Sequence, residues 1–189
     1  MSLSPSVTKP VRADARRNYE ALVAAGKAVF LRAGADAPME EVAKKAGVGQ
    51  GTLYRHFPSR EHLFVAIMKD RVDLLDTQAR ALLDAPDTWQ ALTEWLRLYD
   101  RSAAEFRGLS ARVGDGLADD SSPVAAACAP MKATFADLLA RAHEEGTVRT
   151  DVTALQILTM VAALPKPAVN DEADTIYLDI VLRGLKPHA

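Results

Sequence analysis

Cysteine, isoleucine and aromatic residues are scarce in this chain of 189 residues, which has one cysteine, four isoleucines and 6% aromatic residues. The single cysteine, Cys128, excludes an intrachain disulfide and a cysteine-based zinc site within one chain. No run approaches the roughly 18 apolar residues of a membrane span, and the first 12 residues are polar rather than signal-like. We therefore expect a soluble, cytoplasmic protein that does not enter a membrane.

Alanine and leucine dominate what is present, with 34 and 22 residues against 15 valines. Both lose little conformational freedom in a helix, whereas strands are enriched in β-branched residues. Hydrophobic residues make up 49% of the chain and the formal net charge is only −2. This composition excludes general disorder and predicts an all-α fold.

The charge is distributed unevenly along the chain. Residues 9 to 71 contain 12 basic and 7 acidic side chains, while the rest contains 11 basic and 18 acidic ones. A basic first third attached to an acidic remainder suggests that the first third contacts a polyanion. Ordinary surface variation is the alternative, and charge alone does not decide between them.

The first third has the pattern of several short helices. After a flexible arm at residues 1 to 12, apolar residues recur at helical spacing from Ala13 to a stop at Gly34. A short helix follows Pro38, and a turn at residues 47 to 49 leads to a third helix at residues 50 to 56. Ser59 is placed to cap a long fourth helix. The pattern therefore predicts a division of the chain into a first domain at residues 13 to 58 and a helical second domain at residues 59 to 189, with the helix from residue 59 connecting the two.

Two short helices joined by a glycine-containing turn, with a supporting helix before them, form a helix-turn-helix. The second of these helices fits the major groove, and its N-terminal side chains meet the base edges there. Gln50 can pair with adenine, Thr52 offers a hydroxyl and a methyl group, and Gly51 permits close approach. Further residues are placed to reach phosphates, namely Tyr54, Arg55, His56 and Arg60, together with Arg16 and Arg17 at the start of the first helix.

The segment from Met39 to Phe64, and above all Gly51-Thr-Leu-Tyr-Arg-His-Phe57, closely resembles the DNA-binding domain of TetR-family transcriptional regulators. The resemblance covers about residues 13 to 70. It implies an all-helical homodimer with a small DNA-binding head at residues 13 to 58 and a larger effector-binding, dimerising body at residues 59 to 189. It also implies base contacts by Gln50, Gly51 and Thr52, and phosphate contacts by Tyr54, His56 and Arg60. Ala37-Pro38 departs from the family, which often has a phosphate-binding threonine at the start of the second helix.

The body offers weaker signals. Large, adaptable side chains could line an apolar pocket, although such residues at helical spacing are more often plain core; these are Trp95, Tyr99, Phe106, Met131, Phe135 and Met160. The last two helices are apolar on more than one side, which predicts a second copy of the chain as partner. The expected interface residues are Leu155, Leu158, Ile176, Tyr177, Ile180 and Val181.

We find no nucleophile paired with a base, no phosphate-binding loop and no dinucleotide motif, so we expect no enzyme activity, no metal and no cofactor. The leading hypothesis is a homodimeric regulator of the TetR type. It would act as a repressor that a small-molecule effector releases from a pseudo-palindromic operator on double-stranded DNA. The alternative is a helical ligand-binding or sensor dimer without sequence-specific DNA binding.

Overall fold

The computed structural model describes residues 10–106, 110–165 and 176–187 of the chain. This part of the chain is helical and contains no strand, which confirms the predicted all-α class. The helices are α1 (Pro10–Ala33), α2 (Met39–Ala46), α3 (Gln50–His56), α4 (Arg60–Leu82), α5 (Thr88–Ala104), α6 (Ser110–Ala118), α7 (Pro123–Glu144), α8 (Ala154–Ala163) and α9 (Ile176–Gly184).

The chain forms two compact units, Met1–Ile67 and Met68–Ala189, which we call the head and the body. The division between them falls within α4, whereas the sequence pattern placed the domain boundary at residue 58. None of the helices in the described ranges is long and apolar enough to cross a lipid bilayer.

In the head, α2 and α3 pack on α1 and on each other. Gly34 and Gly47 end α1 and α2 with φ angles of 84° and 70°, a left-handed conformation that side chains with a Cβ rarely adopt. The Phe30 and Phe64 rings meet edge to face with centroids 4.8 Å apart. Other apolar side chains that lock the helices together include Leu22, Val42, Leu53, Phe57 and Leu63.

The core of the body is built around Trp95 of α5. Its ring stacks on Phe135 and Tyr99, with centroids 4.5 and 5.4 Å away, and its indole N–H donates to the Leu75 carbonyl at 2.9 Å. Helix caps set the ends of the surrounding helices. Ser122 caps α7 by accepting from the Ala125 N–H.

The start of the first helix differs from the sequence expectation. Helix α1 begins at Pro10 rather than Ala13, so the last three residues of the predicted arm are helical, while residues 1–9 lie outside the described residues. In the body, α5 begins at Thr88, and Asp87 caps it by accepting from the Gln90 N–H at 2.8 Å.

Candidate functional site

The N-terminus of α3 is exposed and has no side-chain cap. Gly49 is its N-cap residue, and the first hydrogen bond within the helix runs from the Thr52 N–H to the Gly49 carbonyl at 2.9 Å. The first N–H groups of a helix have no partner within the helix and carry partial positive charge. Gln50 and Gly51 are exposed at this end and Thr52 is half-buried. Side chains and backbone N–H donors of α3 are therefore both available here to contact the major groove of DNA.

Gly51 is not required by the packing of the head. A Cβ added at Gly51 would meet no heavy atom within 4 Å, and its φ is not positive. Glycine costs a helix roughly 1 kcal/mol relative to alanine, and no contact within the head offsets that cost. Close approach of DNA to α3 at Gly51 stays a prediction.

Arg55 lies one turn after these residues and is held along α3. Its Nε–H donates to the Gly51 carbonyl and its Nη2–H to the Thr52 hydroxyl oxygen, both at 3.2 Å. The guanidinium remains exposed. Because the Thr52 oxygen accepts from Arg55, its own O–H is left to donate to an acceptor outside the helix.

The C-terminal half of α3 meets the N-terminal half of α1 through aromatic rings. Tyr19 packs edge-on to His56 with centroids 6.2 Å apart, and at 5.2 Å from Phe57. His56 is consequently half-buried, whereas the side chain of Tyr54 is 44% exposed. Of the two predicted phosphate contacts, Tyr54 is the freer to reach a partner, while His56 also contributes to packing.

Arg60 has a structural role that the sequence pattern did not indicate. Its Nη1 donates to the Ala37 carbonyl at 2.7 Å and also to the Ala35 carbonyl, and its guanidinium carbon lies 5.8 Å from the centre of the Phe30 ring. Arg60 was predicted to bind phosphate. Within the head it ties the start of α4 to the loop between α1 and α2, and its contact with phosphate stays a prediction.

Arg16 and Arg17 point to solvent and are paired within α1. Arg16 lies 3.4 Å from Glu20, and Arg17 forms an ion pair with Asp14. Exposed pairs of this kind contribute about 0–1 kcal/mol, so a phosphate could replace either carboxylate at little cost. The Tyr19–His56 contact places this part of α1 beside the end of α3.

The body contains a cavity of about 50 Å³ between α4, α5, α6, α7 and α8. Tyr99, Phe106 and Met131 of the predicted pocket set line it. Trp95 and Phe135 do not line it and stack on each other in the core, and Met160 is 47% exposed on α8. Sequence reasoning missed most of the lining, which consists of Met68, Arg71, Val72, Leu75, Ser102, Ala103, Leu117, Cys128 and Ala162.

Helix α9 has the two apolar stripes that its sequence predicted. Leu178 and Leu182 are buried against the body, while Ile176 and Ile180 are 57% and 60% exposed. Among the other predicted interface residues, Tyr177 and Leu155 are exposed and Val181 is half-buried. Leu158 must be removed from that set, because its side chain is fully buried within the body of its own chain.

These features define a helix-turn-helix DNA-binding head on a helical body. Comparison with known proteins identifies the family to which this head and body belong. The family model for bacterial regulatory proteins of the tetR family matches residues 22–67, and that for the SbtR-like transcriptional regulator C-terminal domain matches residues 87–187, more than half of the chain. The chain therefore belongs to the TetR family of bacterial transcriptional regulators.

Individual relatives agree with this assignment. The TetR transcriptional regulator SCO0520 from Streptomyces coelicolor is 30% identical with a TM-score of 0.55, over 90% of this chain and 99% of that chain. The structure of RolR in complex with resorcinol shares the fold, with a TM-score of 0.60 at 20% identity over 92% of this chain and 90% of that chain.

Curated relatives match over part of their length. The HTH-type transcriptional activator FasR from Mycolicibacterium smegmatis is 38% identical over 42% of this chain. The HTH-type regulator SAR0097 from Staphylococcus aureus is 43% identical over 27% of this chain. The matched segments span only 36% and 27% of these two relatives.

Proposed function

We propose that this protein is a homodimeric repressor that binds a pseudo-palindromic operator and leaves it when a small-molecule effector occupies the body. The observation that carries the proposal is the uncapped, exposed start of α3 with Gln50, Gly51 and Thr52 on it. Operator DNA lies in the bacterial cytoplasm, and we propose that the protein acts there.

The proposed readout follows from the chemistry of these side chains. The Gln50 amide can donate to N7 and accept from N6 of adenine, and the Thr52 O–H can donate to a base or phosphate acceptor. Gly51 would allow the helix backbone to come close to the DNA. Arg16, Arg17, Tyr54, Arg55 and His56 would hold the head on the phosphates without reading sequence.

The exposed apolar residues of α8 and α9 support a second copy of the chain as partner. Leu155, Ile176, Tyr177 and Ile180 present large apolar side chains to solvent. Two copies related by a two-fold axis would place two heads on half-sites about 34 Å apart, one helical turn of DNA. A pseudo-palindromic operator is the matching DNA geometry.

Helix α4 is the element through which an effector could act. Its first residues, such as Phe64, belong to the core of the head, and Met68, Arg71 and Leu75 further along line the body cavity. An effector that shifts α4 would alter the head spacing. It must favour the non-binding arrangement by a few kcal/mol to release DNA.

The decisive experiment is binding of the purified protein to the DNA flanking its own gene. Fluorescence anisotropy would be measured with random-sequence competitor at two salt concentrations. We expect binding that survives the competitor, with two chains per site. Gln50→Ala and Thr52→Ala should each lose about 1–3 kcal/mol of preference for the operator over random DNA.

A matched control is Gln90→Ala, which removes the same amide from an exposed position on α5 of the body. It should leave operator preference unchanged. Binding that only weakens with salt and disappears with competitor would report general electrostatics and favour the alternative of a sensor dimer without sequence-specific binding.

A further inference from the structure

The cavity of the body is almost entirely apolar, and its polar groups are already paired. The Tyr99 hydroxyl donates to the Leu158 carbonyl at 3.3 Å, and the Ser102 hydroxyl donates to the Leu98 carbonyl at 2.8 Å. Burial raises the pKa of the Cys128 thiol to about 11 and also raises the pKa of Tyr99, so both groups stay neutral. Neither hydroxyl proton among the described residues that line the cavity is therefore left to donate to an anion.

Arg71 is the one charged residue among the described residues that line the cavity, and its charge is already used. Its Nε–H donates to one carboxylate oxygen of Glu105 at 3.1 Å, and its Nη2–H donates to the other. This bidentate pairing is the arrangement that a carboxylate ligand would adopt with Arg71. The remaining N–H groups of the guanidinium can still donate, but an anion that takes this bidentate position must displace Glu105.

The size of the cavity limits its occupant. Its volume of about 50 Å³ is smaller than the roughly 150 Å³ apolar cavity known to accept benzene. Met68 and Met131 line it, and their unbranched, flexible side chains can move to admit a larger molecule. A single aromatic ring therefore requires these side chains to move.

We propose that this cavity admits small, uncharged, hydrophobic effectors, and that Glu105 excludes anionic ones by holding Arg71. Glu105 is in this sense a specificity-determining residue, which acts through Arg71 rather than by touching the ligand. The regulatory role of the occupant rests on the proposed function, but the charge selectivity of the cavity can be tested without DNA.

Trp95 provides the reporter. It stacks on Tyr99, which lines the cavity, whereas the chain's other tryptophan, Trp89, packs against Lys186 at 4.1 Å. In a Trp89→Phe background the fluorescence comes from Trp95 alone. Toluene, benzoate and benzylammonium are probes with the same ring and different charge. We expect saturable binding of toluene, and binding of both ions that is weaker by at least about tenfold.

Glu105→Gln in the same background tests the second half of the proposal. The neutral amide frees the Arg71 charge, so benzoate affinity should rise by at least about tenfold while toluene affinity changes less than about twofold. Benzoate that binds more tightly than toluene before this substitution would overturn the proposal. So would a Glu105→Gln variant that leaves the ratio of the two affinities unchanged.

Two substitutions on α7 locate the probe. Met131→Ala enlarges the cavity and should change toluene affinity several-fold, whereas Leu138→Ala removes an equally buried side chain that does not line the cavity. Melting curves without probe confirm that each variant is folded. Equal effects of both substitutions on toluene binding would place the probe elsewhere and overturn the assignment.

Failure of this inference and failure of the proposed function can be told apart. Operator binding is measured without any probe, and probe binding is measured without DNA. A protein that binds its operator but shows no saturable toluene binding overturns the inference alone. Selective toluene binding without specific binding to any operator would support the selectivity of the cavity and overturn the proposed function.

Discussion

In the head, residues available for DNA contact can be distinguished from residues that hold the fold together. Gly51 occupies an exposed helical position where a methyl group would meet no heavy atom within 4 Å. Arg60, ten residues from Gln50, is half-buried and bonded to two backbone carbonyls of its own unit. Substitutions at these two positions should therefore have opposite effects on stability.

We expect Gly51→Ala to stabilise the head by up to about 1 kcal/mol, since alanine is the better helix former. The same methyl group should obstruct the close approach of DNA and lower operator affinity. Urea denaturation and anisotropy would measure the two quantities. Gly114→Ala in α6, where a Cβ also has open space, is the control and should leave operator affinity unchanged. Unaltered operator binding by Gly51→Ala would remove Gly51 from the interface.

Arg60→Met should destabilise the protein by about 2 kcal/mol, because two carbonyl acceptors lose their charged donor. Urea denaturation measures this loss. Arg55→Met, which alters an exposed side chain, should change stability by less than about 0.5 kcal/mol and reduce the salt dependence of DNA binding. If Arg60→Met kept full stability and only reduced the salt dependence, its main role would be phosphate contact.

At the scale of helices, α4 and α7 are joined by a polar contact inside the body. The Thr134 hydroxyl donates to one oxygen of Asp76 at 2.7 Å, and the Arg80 Nε–H donates to the other at 3.0 Å. The bond from Thr134 is the main reason that the pKa of Asp76 lies below its usual value, with Arg80 adding to the effect and desolvation opposing it.

The lowered pKa predicts a pH-dependent stability. The ionised carboxylate of Asp76 stabilises the fold above its unfolded pKa of about 4, and this contribution is lost as the pH falls through the lower folded pKa. Thr134→Val should therefore cost about 1–2 kcal/mol at pH 7 and less at pH values below 3. Urea denaturation at several pH values would measure the difference.

Thr77→Val on α4 is the control, since the Thr77 hydroxyl donates to the Asp73 carbonyl within its own helix. The effect of Thr77→Val on stability should be the same at pH 7 and below pH 3. A Thr134→Val cost that does not shrink in acid would show that the lost hydroxyl, rather than the charge on Asp76, accounts for the whole effect.

At the scale of the whole molecule, the exposed apolar stripe of α9 is the feature that a single copy leaves uncovered. Ile180 is its most exposed large apolar residue, at 60%. Ile180→Asp should give a monomer of nearly unchanged stability in light-scattering measurements. Operator affinity should fall by about a hundredfold or more, because two linked heads gain from high effective concentration.

Leu31→Asp is the control for this substitution, since Leu31 is 43% exposed on α1 of the head. The Leu31→Asp variant should retain the same oligomeric state as the unaltered protein. A dimer that survives Ile180→Asp would exclude this stripe from the interface and require another partner surface for the two-headed assembly.

Much of the head was predictable from the sequence because its signals are local. The positive-φ glycines, the helical spacing of apolar residues and the motif around Gly51 all lie within a few turns of one another, and α3 has the predicted bounds. The expected contacts at Gln50, Gly51 and Thr52 stay predictions, although all three do lie together at the start of α3.

Roles that depend on distant partners were not predictable in the same way. Arg60 lies 25 residues from Ala35, so its charge suggested a phosphate contact while the folded head uses it to hold a loop. Trp95, Phe135 and Leu158 have the same helical spacing as residues that line a cavity or an interface. Only packing against neighbouring helices decides which of these environments such a residue enters.

The sequence by itself therefore determined the all-helical class and the helix-turn-helix, because periodicity, turn residues and a contiguous motif act over short distances. Tertiary structure decided which apolar residues enclose the body cavity and that Glu105 neutralises Arg71 beside it. Arg71 and Glu105 are 34 residues apart, and no local pattern encodes the geometry in which such distant groups meet.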